Sequence, residues 1–174
     1  MKTLQDQLAQ YASYHRDTRN IATHFIGIPM IVLAIATLLS RPHLEVGGWP
    51  LTPAWVVTAA TCIYYLRLHL GLGVLMCALL GLTLAFGNWA AAMSTSAWLS
   101  IGIGLFVVGW IFQFVGHGWE GKKPAFVDDL VGLIIGPLFV TVEALFVVGA
   151  MPRLRAEIES RVGGTRSGRK SVAS

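Results

Sequence analysis

Apolar runs, all but one of them long enough to cross a bilayer, divided by short polar knots, leave this chain little choice of environment. They extend from about Ile21 to Leu39, Ala54 to Leu66, Gly71 to Ala91, Ala97 to Val115 and Leu130 to Ala150. A helix rises about 1.5 Å per residue, so roughly 20 residues cross hydrocarbon about 30 Å thick. The stretch 54–91 is twice too long for one helix, so Arg67-Leu68-His69 marks a hairpin. Only 13% of the 174 residues are charged, against about 25% in a soluble domain, a deficit explained if much of the surface faces lipid. The expectation is an all-α fold, a polytopic membrane helical bundle of about five spans. Residues 1–158 would form one membrane domain, and 159–174 a basic tail whose Gly-, Ser- and Arg-rich end has the composition of disordered chain.

Residues 3–15 predict a short amphipathic interfacial helix, with Leu4, Leu8, Tyr11 and His15 on one face. Pro29 is expected to bend the first span, and Gly136-Pro137 to break the fifth. Residues 41–53 read as a polar loop, and Asp128 or Asp129 as a cap for the last span. Gly102, Gly104 and Gly109 predict close helix packing, and such small-residue faces can pack within one chain or in a homo-oligomer. Cys62 and Cys77 lie in apolar runs without metal-binding spacing. The net charge of +4 comes from basic residues outside the spans, where lipid headgroups rather than nucleic acid are the natural partner. The first twenty residues are polar and carry no cleavable signal pattern.

Two polar knots carry the chemistry. One is Tyr14-His15-Arg16-Asp17-Thr18-Arg19-Asn20, followed by His24; the other is Gly116-His117-Gly118-Trp119-Glu120-Gly121-Lys122-Lys123. Counting spans puts His15, His24, His69 and His117 on one face of the membrane and His43 on the other. Lys2, Arg16, Arg19, Arg67, Lys122 and Lys123 share the histidine face, which the positive-inside rule makes cytoplasmic. Five spans would then leave the basic tail outside, unless the fifth segment re-enters.

Histidines with a carboxylate suit Fe(II), Zn(II) or Mn(II). His117 and Glu120 are three apart, adjacent if helical, while the neighbouring glycines allow a loop. His15 and His24 are nine apart and would point oppositely on one straight helix. Both can be ligands only if the chain bends between them, near Asp17–Asn20. Glu143, an ionisable group within a span, reads either as an outer-shell partner of a ligand or as a protonated packing residue.

Tyr14-His15 with Asn20, His24, Gly27 and Pro29, then Gly109-Trp110-Ile111-Phe112-Gln113-Phe114-Val115-Gly116-His117, then Lys123-Pro124-Ala125, Pro137, Glu143 and Met151-Pro152-Arg153-Leu154, resemble a membrane family. It is the family of 2-hydroxy fatty acid dioxygenases, whose yeast member works in the endoplasmic reticulum on phytosphingosine breakdown. The resemblance implies an Fe(II)-dependent α-oxidation in which a 2-hydroxy fatty acid and O2 yield the acid one carbon shorter and CO2. It implies His15, His24 and His117 as catalytic metal ligands, Glu120 as a ligand or outer-shell partner, and Asn20, Lys123 and Glu143 as supporting or substrate-binding groups. His69 is not a position of the family. The implied location is the inner membrane of a bacterium or the endoplasmic reticulum of a eukaryote. Without the resemblance, the same residues would also fit a non-catalytic membrane scaffold or lipid-binding protein. The HxxxH and HxxHH clusters of membrane hydroxylases and desaturases are absent from the sequence.

Overall fold

The computed structural model describes residues 2–124 and 131–167, and its architecture is helical apart from one small hairpin. The expected cap at Asp128 or Asp129 lies outside the described residues. The helices are α1 (Leu4–Ala12), α2 (Thr18–Ser40), α3 (Pro53–Leu68), α4 (Leu70–Ala91), α5 (Thr95–Glu120), α6 (Val131–Val147) and α7 (Pro152–Val162). Antiparallel strands β1 (Leu44–Val46) and β2 (Trp49–Leu51) occupy the expected polar loop, with Leu44 opposite Leu51. Gly47 and Gly48 both take positive φ, as a two-residue hairpin turn requires.

Among the described residues, α2, α4 and α5 are long and apolar enough to cross a membrane. A fourth span results if α6 and α7, bent by 116° at their junction, count as one. By length and composition alone the count among the described residues is three or four, against the expected about five. The 16 residues of α3 reach only about 24 Å, short of the hydrocarbon thickness. The break in the last segment also lies elsewhere than expected: α6 continues through Pro137, and the chain turns at Gly149 and Met151, both at positive φ.

The chain divides into two compact units. One joins the residues up to Ile28 to those from Ile111 onward; the other is Pro29–Trp110. In the second unit the α3–α4 hairpin turns at His69, whose Nδ1 accepts the Leu72 amide and caps α4. Gly73 lets the two helices meet, since a Cβ there would fall 2.6 Å from the Leu66 Cα. Gly102 does the same against Leu38, whereas Gly104 faces open space. Val56, Ile63, Val74, Leu82, Ile103 and Val107 point outward, the surface that lipid rather than water would cover.

In the first unit α1 starts with a reciprocal cap. Thr3 Oγ1 accepts the Asp6 amide, and Asp6 accepts the Thr3 amide. The helix is shorter than the expected 3–15, because the chain leaves it at Ser13 and bends toward α2. Its apolar face is buried against α6 and α7, with Leu8, Tyr11, Phe139, Leu154 and Ile158 in the core. At Gly136 an added Cβ would press on Tyr11 and Ile28, so the glycine permits that approach. Residues 159–162 complete α7, and Arg166 beyond it forms a parallel bridge with Asp17.

Candidate metal centre

The bend between α1 and α2 returns His15 to the side of His24, as the nine-residue spacing demands of two ligands. His15 Nδ1 donates to the Tyr11 carbonyl at 2.7 Å, and His24 Nδ1 donates to the Asn20 carbonyl at 2.9 Å. A carbonyl only accepts, so each Nδ1 carries the hydrogen and each Nε2 keeps a bare lone pair. Those two Nε2 atoms face each other at 2.9 Å.

His117 completes the group. One ring nitrogen from each of His15, His24 and His117 lies within 4.8 Å of the others. All three residues are buried, at 0%, 1% and 6% exposure, and His117 Nδ1 has no hydrogen-bond partner. Tyr11 stacks flat on His15 at 4.2 Å, and Phe139 closes another side at 5.5 Å.

Two lone pairs at 2.9 Å repel unless a cation lies between them. A shared proton is disfavoured, because burial and then the His24 imidazole push His15 well below the usual histidine range. A metal ion fits better. Two nitrogens each about 2.1 Å from one ion and at right angles around it are about 3.0 Å apart. Neutral imidazoles with further positions open suit divalent first-row metals.

Glu120 stands outside this group of three. His117 and Glu120 both lie in the last turn of α5, so the helical alternative holds, but the carboxylate turns toward the bend. Its Oε2 accepts the backbone N–H groups of Arg16 at 2.9 Å and Asp17 at 2.7 Å, and the Asn20 amide at 3.2 Å. Its Oε1 accepts Arg166 Nη2 at 3.1 Å. Glu120 therefore clamps the loop that carries His15 to the helix that carries His24. Arg166 joins the clamp through its backbone as well, donating to the Arg16 carbonyl and accepting the Thr18 amide.

Asn20 is fully buried and serves twice, through its amide on Glu120 and its carbonyl under His24. Glu143 sits 3.9 Å from Arg16 Nη2 and lines a cleft of about 180 Å³ with Phe25, Phe146 and Arg155. Its contact is thus with the residue after His15 and not with an imidazole. Lys123 is exposed just beyond α5, and its neighbour Lys122 donates to the Ser13 carbonyl. His69 is the cap of α4, and His43 is an exposed loop histidine beside Glu45.

Arg16 and Arg166 were not legible as site residues. Arg16 looks like any headgroup cation in sequence, yet it is buried and also donates to the Ala12, His15 and Gly163 carbonyls. Nothing in the composition of the tail distinguishes Arg166 from the other arginines there.

Residues 1–148 match the family described as Mpo1-like, 2-hydroxy-palmitic acid dioxygenase Mpo1-like. The 2-hydroxy-palmitic acid dioxygenase MPO1 of Saccharomyces cerevisiae is 36% identical over 159 residues, covering 90% of this chain and 87% of the yeast protein. No solved structure matches. The matched region contains all three clustered histidines and Glu120. The chain belongs to the Mpo1-like family of 2-hydroxy-palmitic acid dioxygenases.

Proposed function

We propose that this protein is an Fe(II)-dependent dioxygenase of 2-hydroxy fatty acids. The reaction takes one 2-hydroxy acid and one O2 to the fatty acid one carbon shorter, CO2 and water. The observation that carries this reading is the pair of lone pairs facing each other at 2.9 Å, with a third imidazole beside them, in a chain of this family. His15, His24 and His117 hold the metal. Bound there, iron supplies open positions for the substrate head group and O2, and the redox capacity that zinc lacks.

The chain's own residues do the rest. Tyr11 and Asn20 fix the tautomers through their carbonyls, so each Nε2 stays available as a ligand. Tyr11 and Phe139 shield His15 from water. Glu120, with Asn20 and Arg166, sets the angle of the bend. Glu143 acts through Arg16, and Lys123 supports the same polar end.

The protein is multi-pass, with the metal site near the cytoplasmic face of the inner membrane or of the endoplasmic reticulum. Lys2, Arg16, Arg19, Lys122 and Lys123 flank the ends of the helices that bear the histidines. Because α7 folds back on α1, Arg161 and Arg166 lie on the same side as the N-terminal helix, in keeping with the positive-inside rule. The acyl chain stays among the apolar helices while its head reaches the metal.

Anaerobic loading with Fe(II), then 2-hydroxypalmitate and O2, tests the reading. Pentadecanoate and CO2 are expected in equal amounts. Protein that binds iron but leaves 2-hydroxypalmitate intact, or yields no shortened acid with any divalent metal, would contradict it.

A further inference from the structure

Gln113 is buried at 5% exposure in α5, and its Nε2 has no hydrogen-bond partner. An amide left unpaired in an apolar helix is costly, and a native fold tolerates it only for a reason.

Its position supplies the reason. Gln113 and His117 are four residues apart on α5, on the same face and about 6 Å apart along the axis. Helical side chains lean toward the N-terminus, so the His117 imidazole leans back over the turn that Gln113 occupies. The register against α2 gives the depth. Glu120 meets Asp17 and Asn20, and a Cβ at Gly116 would strike Asn20 and Thr23. The two helices therefore run antiparallel here, and three residues before Gly116, Gln113 falls level with His24. The unpaired donor thus lies on the ligand face of α5, on the apolar side of His117.

We propose that Gln113 is a substrate-binding residue, whose carboxamide N–H donates to an oxygen of the 2-hydroxy acid head group. This rests on the reading of the protein as a 2-hydroxy fatty acid dioxygenase. A head group coming down to the metal from within the apolar helices passes the Gln113 level, and its oxygens need a donor that water cannot provide there. A site built to hydrogen-bond an oxygen discriminates against ligands that lack it, because the donor is otherwise left unpaired.

Two variants test this. Gln113→Leu removes the amide, and Gln113→Met keeps its length without any N–H or O–H donor. Both should retain metal at the wild-type level. Both should bind 2-hydroxypalmitate, titrated anaerobically into the metal-loaded protein, about 10- to 100-fold more weakly. The melting temperature of metal-free Gln113→Leu should rise, since an unpaired amide gives way to an apolar side chain. A residue needed only for structure would move that temperature the other way.

Unchanged 2-hydroxypalmitate affinity in both variants would overturn the assignment. So would loss of metal together with a lower melting temperature in Gln113→Leu. Failure of the parent reading looks different. Wild-type protein that forms no pentadecanoate, yet binds 2-hydroxypalmitate in a Gln113-dependent way, would remove the oxidation and keep the contact. Wild-type protein that holds metal but has no affinity for 2-hydroxypalmitate would remove both.

Discussion

Replacing His24 by alanine should empty the metal centre while leaving the fold intact. Outer-shell partners of a metal ligand typically contribute about 10- to 100-fold in affinity, and loss of a ligand itself should exceed that. Iron per chain should drop below about a tenth of the wild-type value, and product formation should fall at least as far. Stability of the metal-free protein should be unchanged or higher. His24 Nε2 faces His15 Nε2 at 2.9 Å, and without a cation this contact is repulsive. Metal analysis and thermal unfolding of the same sample check both halves. A His24→Ala protein that keeps stoichiometric iron would remove His24 from the ligand set.

Glu120→Ala should behave in the opposite way. Its carboxylate is buried and accepts two backbone amides, the Asn20 side chain and the Arg166 guanidinium. Truncation strands the Arg16 and Asp17 amides in a buried bend, where each unpaired group costs about 1–3 kcal/mol. The Arg166 ion pair adds little, since that guanidinium is half exposed. A loss of about 3 kcal/mol in the metal-free protein is expected, measured by denaturant unfolding. Metal affinity should fall with it, because the bend that holds His15 against His24 loosens. If Glu120→Ala lost iron with no change in metal-free stability, the carboxylate would be a ligand after all.

The contrast between these residues shows what the sequence could convey. The meeting of His15, His24 and His117 was legible because counting spans put them on one face. The need for a bend before α2 followed from nine-residue spacing alone. The role of Glu120 was not legible, because a carboxylate three residues after a histidine is equally a ligand or a clamp until its hydrogen-bond donors are seen. Its partners at Arg16 and Asp17 lie more than a hundred residues away.

The lengths of the helices were less legible, for a different reason. Hydropathy registers that residues 54–66 and 130–150 are apolar, not how long their helices are. The His69 cap ends α3 after 16 residues, and the turn at Gly149 and Met151 sends α7 back onto α1. Pro137 looked like the break, yet α6 runs through it. Residues 159–162 read as tail but extend α7, and Arg166 is held by the clamp.

The central claim is that three imidazoles, distant in the chain, share one ion. X-ray absorption at the iron edge of the Fe(II)-loaded protein tests it most directly. The expected spectrum has nitrogen or oxygen neighbours near about 2.1 Å, with the outer-shell scattering of three imidazole rings. Scattering from no more than one ring, or from sulfur, would contradict it.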